Sequence, residues 1–253
     1  MGGDPAPGVG FEHAWQAVAD VEGWLTRAQA RRLFERAAAV CVPGRIVEIG
    51  SFRGRSAIVL ALGAAPGVEI VAIDPHLGSD RGPREIRPQP QLGEADHVAF
   101  LANLRAAGVV ERIRHVRLRS RDALDAVQGE VDLLYVDGAH RYAPAREDLE
   151  RWGARVAPGG RLLVHDAFSS VGVTLALWRC VIAGGGWRPH GRSGSLAEYE
   201  RADLALGGRV LALLAGLAQL PYFARNLAVK ALIVGRMRGL ARLLGHTSGP
   251  WPY

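Results

Sequence analysis

Short apolar runs alternate with stretches of helical or turn-forming character from about residue 20 to about residue 185. The apolar runs are RIVEI, EIVAI, RIRHV, VDLLYV and GRLLV, and their composition is typical of strands buried on both faces of a sheet. The segments between them show apolar residues at helical spacing or contain glycine and proline. This alternation predicts an α/β fold with a mostly parallel sheet and helices on both faces.

The first predicted strand runs into a glycine-containing turn and then a helix, within residues 45–56, RIVEIGSFRGRS. Gly50 and Gly54 allow the backbone to approach a ligand closely, and the helix start near Ser56 offers unpaired N–H groups. The spacing of the two glycines differs from the dinucleotide-binding fingerprint, and Glu48 at the strand end would repel a pyrophosphate. We therefore expect a nucleotide-like ligand that has a cationic amino-acid end and no phosphate.

Polar residues also follow the other predicted strands. Because the carboxyl ends of parallel strands meet at one edge of a sheet, these residues predict a binding site there. An acid at the end of the second strand is well placed to accept hydrogen bonds from ribose hydroxyls. In chain order the residues are Asp74, Ser120, Asp122, Asp137, His140, His165 and Asp166.

The turn at Glu48 and Gly50, Asp74 on the second strand, and the stretch VDLLYVDGAHRY…EDLERWGARVAPGGRLLVHD resemble class I S-adenosylmethionine-dependent methyltransferases. More narrowly, they resemble the branch that includes bacterial small-molecule and sugar O-methyltransferases. The resemblance extends over roughly residues 20–200 and implies a Rossmann-like, mostly parallel seven-stranded sheet with S-adenosylmethionine as cofactor. It places the methionine end near Glu48, Gly50 and Ser51, the ribose at Asp74 and the adenine near Ser120 and Asp122, with Gly54 and Asp137 as further cofactor contacts.

Methyl transfer to a hydroxyl needs a base or a metal ion, because an aliphatic hydroxyl is a weak acid. His140 is the predicted base, since histidine titrates near neutral pH, and His165 is a second base or a ligand. Asp137 and Asp166 offer the oxygen ligands that Mg²⁺ prefers. The segment Asp137-Gly-Ala-His140 resembles the Asp-x-x-His of some metal-dependent sugar O-methyltransferases. Those enzymes carry an acidic pair where this chain has His165 and Asp166, so the requirement for Mg²⁺ stays open.

The predicted function is methyl transfer from S-adenosylmethionine to a hydroxyl of a small molecule, a sugar or a glycosylated natural product. The chain lacks the Asn/Asp-Pro-Pro-Tyr motif of amino-group methylation at the fourth strand. Two alternatives remain. One is a hydroxylase or oxygenase of the same fold, with iron at Asp137, His165 and Asp166. The other is a non-catalytic protein that binds the cofactor and a partner.

Composition favours a soluble cytoplasmic bacterial protein of 253 residues with one main domain. The two cysteines, Cys41 and Cys180, have no metal-binding spacing and fit a reducing compartment. The net charge of +6 is accompanied by no recognisable RNA-binding module, so we expect no specific nucleic-acid partner. Residues 1–10 contain no signal peptide and predict a disordered lead, and residues 11–201 form the predicted methyltransferase domain.

Two segments are placed to cover the predicted site. Trp24, in the helical region of residues 11–40, is either a lid residue or part of the core. The loop HLGSDRGPREIRPQPQLGE is long and rich in proline and glycine, which is typical of a flexible loop over a site. Its residues Arg81, Arg84 and Arg87 either face an anionic substrate or are solvated.

Residues 202–253 form a predicted helical extension. The segment LALGGRVLALLAGLAQL is apolar, but it contains Arg209 and ends before Pro221, so it is a poor membrane span. A second predicted helix at about residues 222–244 has an apolar face, and three uses fit it: packing on its own domain, a homodimer contact, or peripheral contact with the inner face of an anionic membrane. The residues of that face are Val229, Leu232, Ile233, Met237, Leu240 and Leu244.

Overall fold

The computed structural model describes residues 10–79 and 87–245. Its centre is a seven-stranded sheet with the order β3-β2-β1-β4-β5-β7-β6, in which β1 to β5 run parallel and β7 pairs antiparallel with both β5 and β6. The mostly parallel seven-stranded sheet of the sequence analysis is confirmed. The strands are β1 Arg45–Ile49, β2 Glu69–Ile73, β3 Ile113–Val116, β4 Val131–Val136, β5 Val156–Val164, β6 Trp187–Ser193 and β7 Leu196–Arg201.

Helices cover both faces of this sheet. Residues of alternating positions along the strands face two separate hydrophobic cores, because successive side chains of a strand point to opposite faces. Ile46 and Leu133 lie in one core, and Val47 and Leu134 lie in the other. The helices are α1 Phe11–Ala17, α2 Arg27–Ala38, α3 Arg55–Gly63, α4 Pro90–Ala106, α5 Tyr142–Arg151, α6 Val171–Leu177, α7 Leu206–Leu217, α8 Leu220–Val234 and α9 Arg238–Leu243.

The strand order reverses direction at β1, which lies between β2 and β4. Ile49, the last residue of β1, pairs with Ile73 of β2 and with Val136 of β4. The three strands therefore end side by side. Open α/β sheets bind ligands at such a switch point, in the crevice beyond the carboxyl ends of the strands.

The C-terminal extension is helical, but the continuous helix predicted over residues 222–244 is wrong. Helix α8 ends at Val234, and the backbone then turns through Arg236, which has a φ of +59°. The N–H of Met237 donates to the carbonyl of Leu232, and the N–H of Arg236 donates to that of Ile233. This pair of bonds is the Schellman pattern that ends a helix by satisfying its last carbonyls.

The single apolar face predicted for this segment is divided by that break. Val229 is fully buried, whereas Met237 and Leu240 are about half exposed. Residues 1–9 and the loop arginines Arg81 and Arg84 lie outside the described residues. The domain boundaries proposed from the sequence stay predictions.

Candidate active site

A cavity of about 530 Å³ opens at the carboxyl ends of β1, β2 and β4. Its volume lies within the range of roughly 300–1,000 Å³ that is typical of small-molecule sites. Polar groups from four different segments converge on it. The described residues that line the cavity include Gly50, Asp74, Ser120, Asp137, His140 and Asp148.

Gly50 brings the ends of β1 and β4 into close contact. It has a φ of +88°, and a Cβ at this position would lie 2.1 Å from the carbonyl oxygen of Asp137. Its N–H donates to the carbonyl of Ile73 at 2.9 Å, which ties the turn to β2 as well. Only glycine fits this conformation and this spacing, so the glycine seen in the sequence forms the floor of the cavity.

Asp74 holds the turn that follows β1. Its Oδ2 accepts hydrogen bonds from the N–H groups of Ser51 and Phe52, at 3.0 and 2.8 Å, and its Oδ1 accepts one from the N–H of His76 at 2.8 Å. Burial raises the pKa of the Asp74 carboxyl, and the three backbone donors oppose that rise. The carboxylate thus shapes the loop and also faces the cavity, as expected of a ribose-binding acid.

Glu48 does not reach the cavity lining. Its side chain is fully buried, Oε1 accepts a hydrogen bond from the hydroxyl of Ser56, and Oε2 has no hydrogen-bond partner among the described residues. Burial raises the pKa of Glu48 to about 8. Ser51 and Gly54 are also outside the lining, and Gly54 caps α3. The structure therefore leaves Gly50 as the member of this predicted group that faces the cavity.

Ser120 faces the cavity, but the predicted adenine contact Asp122 does not. Asp122 is exposed and lies 3.6 Å from Arg121. The carboxylate beside Ser120 is that of Asp148, which accepts a hydrogen bond from the Ser120 hydroxyl and whose pKa burial raises to about 7. The sequence contained a signal for the burial of Asp148, because Asp148 lies four residues before the buried Trp152 and so shares a helical face with it.

Asp137, His140, His165 and Asp166 come together where β4 and β5 end. Nε2 of His140 lies 2.7 Å from Oδ2 of Asp166, and Nδ1 of His165 lies 3.2 Å from Oδ1 of Asp137. The hydroxyl of Tyr135, which the sequence analysis did not single out, donates to Oδ2 of Asp137 at 2.8 Å. The four predicted residues thus lie together at this edge of the sheet, where Asp137 and His140 line the cavity, while His165 and Asp166 are buried and are not among its lining residues.

The charges of this cluster stabilise one another. Burial disfavours the imidazolium of His165, but Asp137 and Asp166 raise its pKa well above the usual value. Burial likewise disfavours the carboxylate of Asp166, yet His165 and His140 hold its pKa well below the usual range. An anionic Asp166 is therefore available to orient the ring of His140.

The segment that carries Asp166 has an unusual backbone. Asp166 and Phe168 have φ values of +53° and +56°, although neither is glycine. Such conformations persist when the surroundings impose them, and they cluster at functional sites. Helix α8 supplies part of that support, because Asn226 donates to the carbonyl of Phe168 at 2.8 Å and Lys230 donates to that of Ser169 at 2.7 Å. The sequence offered no signal for these two contacts.

Trp24 and Phe52 form an aromatic pair at the cavity. Their ring centroids are 5.3 Å apart and the rings are stacked. Both residues line the cavity. The position of Trp24 agrees with a lid residue rather than with a fully buried core residue.

The site lies within a region of the chain that matches a known protein family. A family model described as a methyltransferase domain matches residues 47–167, which span β1 to the start of the Asp166 segment. The chain therefore contains a methyltransferase domain, in agreement with the predicted class I S-adenosylmethionine-dependent family.

Other proteins are similar to this chain in sequence or in fold. A catechol O-methyltransferase of Mycobacterium tuberculosis is 27% identical over 212 residues, which are 83% of this chain and 77% of that protein. An uncharacterized protein of Sinorhizobium fredii, y4gI, is 30% identical over 131 residues, 49% of this chain but only 13% of that longer protein. The crystal structure of cofactor-bound Rv0187 from MTB has the same fold, with a TM-score of 0.55 and 20% identity over 81% of this chain and 93% of that one.

The residues of this methyltransferase fit the cofactor of its family. The glycine floor at Gly50 lets the ligand approach the backbone, and no phosphate-binding group is needed. Asp74 presents a carboxylate able to accept hydrogen bonds from ribose hydroxyls, and Ser120 lines the same cavity. The predictions of the family and of S-adenosylmethionine as its cofactor are confirmed, while the contacts of individual residues with the cofactor stay predictions.

Three side chains of the cluster are arranged so that they could hold a metal ion. One ligand atom each of Asp137, His140 and Asp166 lies within 4.8 Å of the other two. This set agrees with the predicted ligands Asp137 and Asp166 and adds His140, whereas His165 is not part of it. Two carboxylates with one imidazole suit a divalent cation, although Mg²⁺ itself prefers oxygen ligands alone.

Proposed function

We propose that this methyltransferase transfers the methyl group of S-adenosylmethionine to a hydroxyl of a small molecule, and that this molecule is a sugar or a glycosylated natural product. When bound, the cofactor supplies the methyl group on a positively charged sulfur. The protein must then hold the acceptor oxygen in line with that methyl group and remove its proton.

The contact between His140 and Asp166 carries the proposal. With Nε2–H of His140 donated to Asp166, Nδ1 holds the lone pair that accepts the proton of the acceptor hydroxyl. The carboxylate of Asp166 fixes the ring and stabilises the imidazolium that forms, as an aspartate does for a catalytic histidine in hydrolases. Asp137, held by Tyr135, borders the same corner of the cavity.

A divalent cation is the second candidate for activating the hydroxyl. Held by Asp137, His140 and Asp166, it would lower the pKa of an alcohol bound to it. His140 would then be a ligand and would no longer act as the base. The two mechanisms differ in their response to metal removal, so one measurement separates them.

The walls of the cavity support a polar acceptor. Arg119, Arg121 and Arg141 line it together with the aromatic ring of Trp24. An aromatic face and hydrogen-bond donors within one cavity suit a sugar ring. The related catechol O-methyltransferase of M. tuberculosis makes catechols the class to compare with sugars.

The test measures methyl transfer from labelled S-adenosylmethionine to panels of sugars, glycosides and catechols. His140→Ala is expected to lower kcat by about 10²–10⁴, with S-adenosylhomocysteine affinity changed no more than a few-fold, because general-base catalysis acts in the transition state. His13→Ala is the matched control, since His13 is an exposed histidine on α1.

Three outcomes would decide against parts of the proposal. Unchanged turnover of His140→Ala would exclude this residue as the base. Loss of activity on chelation, restored by a divalent cation, would favour the metal mechanism. Binding of S-adenosylhomocysteine without turnover of any hydroxyl acceptor would favour a non-catalytic role.

A further inference from the structure

Helix α7 is packed with its small residues inward and its large apolar residues outward. Ala212 and Gly216 are buried, and Gly216 lies against Ile182 and Trp178. A surface helix of a soluble protein has the opposite arrangement, with large apolar side chains toward the core. The outward residues, between 37% and 79% exposed, are Leu206, Val210, Leu211, Leu213, Leu214 and Leu217.

Exposed apolar residues occur again at the end of α8 and beyond it. Val234 at the end of α8 is 80% exposed and Leu243 of α9 is 81% exposed. Met237 and Leu240 lie between them and are about half exposed. Monomeric soluble proteins rarely expose a contiguous apolar surface of more than a few hundred Å², and larger ones mark interaction sites. We call these residues of α7 and of 234–244 the C-terminal apolar surface.

The positive charge of the protein is concentrated in the same region. Residues 204–253 contain no aspartate or glutamate, whereas the remaining 203 residues hold 25 acidic and 25 basic residues. The formal net charge of +6 therefore belongs entirely to this segment. Its basic residues are Arg209, Arg225, Lys230, Arg236, Arg238 and Arg242.

This charge distribution argues against a second copy of the chain as the partner. A symmetric dimer through the C-terminal apolar surface would bring two segments of charge +6 together with no carboxylate from either segment between them. Like charges placed together in this way disfavour association. The partner must instead offer negative charge beside an apolar layer.

A membrane-spanning arrangement also fits poorly. The stretch Leu206–Val234 is long and apolar enough to cross a membrane by length and composition. However, α7 ends at Leu217 and α8 begins at Leu220, and α8 is bonded to the active-site segment through Asn226 and Lys230. Spanning would break these contacts and bury the basic side chains in hydrocarbon, where a charged group is strongly disfavoured.

We propose that the C-terminal apolar surface docks on a membrane that contains anionic lipids, with α7 and α9 lying in the plane of the interface. The exposed leucines enter the boundary between head groups and acyl chains, and the arginines contact anionic head groups. Because α8 is packed on the segment that carries Asp166, docking also sets the orientation of the active site relative to the membrane. The proposal does not depend on the identity of the methyl acceptor.

The first experiment uses the full-length protein in vesicle flotation. We expect flotation with phosphatidylcholine vesicles that contain phosphatidylglycerol, and little flotation with phosphatidylcholine alone. Leu211→Asp/Leu214→Asp should lower binding more than tenfold without unfolding the protein, since both side chains are largely exposed. Val98→Asp, at an exposed valine of α4, is the matched control and should float like the wild type.

The second experiment tests the charges. Each basic residue near an anionic surface contributes about 1 kcal/mol, or about fivefold in binding, so Arg236→Gln/Arg242→Gln should weaken binding about 25-fold. Arg105→Gln/Arg146→Gln removes the same charge from exposed positions on α4 and α5 and should have little effect. High salt should weaken vesicle binding by the wild-type protein, as the Arg236→Gln/Arg242→Gln substitutions do.

Several results would overturn the proposal. One is the absence of flotation with anionic vesicles by a protein that binds S-adenosylhomocysteine. Equal changes in vesicle binding for the leucine or arginine double variants and for their controls would also overturn it. A dimer in light scattering that Leu211→Asp/Leu214→Asp dissociates would assign the surface to a second copy. RNA binding that depends on Arg236 and Arg242, without flotation, would assign it to nucleic acid.

Discussion

Asn226 connects the C-terminal extension to the active site, and its substitution by alanine tests whether that connection matters. The residue is fully buried on α8, and its Nδ2 donates to the carbonyl of Phe168 at 2.8 Å. Phe168 lies two residues after Asp166 in a backbone with two positive φ values. Asn226→Ala removes the donor and so leaves the Phe168 carbonyl without this hydrogen bond.

The expected effect on stability follows from the lost hydrogen bond. A buried carbonyl without a partner costs about 1–3 kcal/mol. For a protein of this size, each kcal/mol lowers Tm by about 2–4 °C, so a loss of about 2 kcal/mol corresponds to about 4–8 °C.

The expected effect on catalysis is of similar size in free energy. Asp166 orients His140, and misplacement of a catalytic group by about 1 Å can cost about 100-fold in rate. We therefore expect kcat to fall by about 10–100-fold. Affinity for S-adenosylhomocysteine should change less than about threefold, because Gly50 and Asp74 lie on other segments.

Calorimetric unfolding, calorimetric titration with S-adenosylhomocysteine and steady-state kinetics measure the three quantities. Ala228→Gly is the control on the same helix. Because Ala228 is exposed, its replacement by glycine should cost about 1 kcal/mol through helix propensity alone. It should lower Tm by about 2–4 °C and leave kcat unchanged.

A wild-type kcat for Asn226→Ala, measured together with the expected fall in Tm, would refute the link between α8 and Asp166. An equal fall of kcat in Ala228→Gly would show that general loss of stability, rather than the contact with Phe168, is responsible.

Two further predictions concern the cofactor side of the cavity. Gly50→Ala should weaken S-adenosylhomocysteine binding more than tenfold in calorimetry, because its Cβ would meet the Asp137 carbonyl at 2.1 Å; Gly191→Ala, at a similar φ of +89° with open space, should bind normally. Burial lowers the pKa of His76 and of His115 from 6.5 to about 4. Between pH 6.5 and pH 4 the unfolded chain therefore binds more protons than the folded protein, so the free energy of unfolding should fall as the pH drops through this range. Urea denaturation should show a fall on the order of 3 kcal/mol, a figure reduced because solvent reaches His115. The free energy of unfolding should depend less steeply on pH in His76→Gln/His115→Gln, and an unchanged pH dependence in that variant would contradict the assignment.

The sequence by itself determined the fold class and the edge of the sheet that holds the site. Apolar runs such as RIVEI can be recognised because strands buried on both faces need apolar residues at nearly every position. Gly50 stood out because its conformation excludes other residues. The polar residues after each strand were recognised because parallel strands must end at the same edge.

The tertiary structure decided which of those polar residues face the cavity. Glu48 lies near the end of β1 and Asp122 follows β3, but Glu48 is buried and Asp122 is exposed to solvent. Asp148, far along the chain on α5, takes the place beside Ser120. Strand order places a residue at the sheet edge, but the direction of its side chain depends on the loop conformation, which neighbouring segments set.

The same limit applies to the contacts between distant segments. Nothing local in the sequence indicates that Asn226 binds the carbonyl of Phe168, because a backbone carbonyl has no residue-specific signature. The helical spacing of the extension correctly indicated helices, but it could not show that Arg236 interrupts them or that α7 turns its leucines outward. Periodicity reports which residues share a face, whereas only packing against the rest of the protein decides which face is buried.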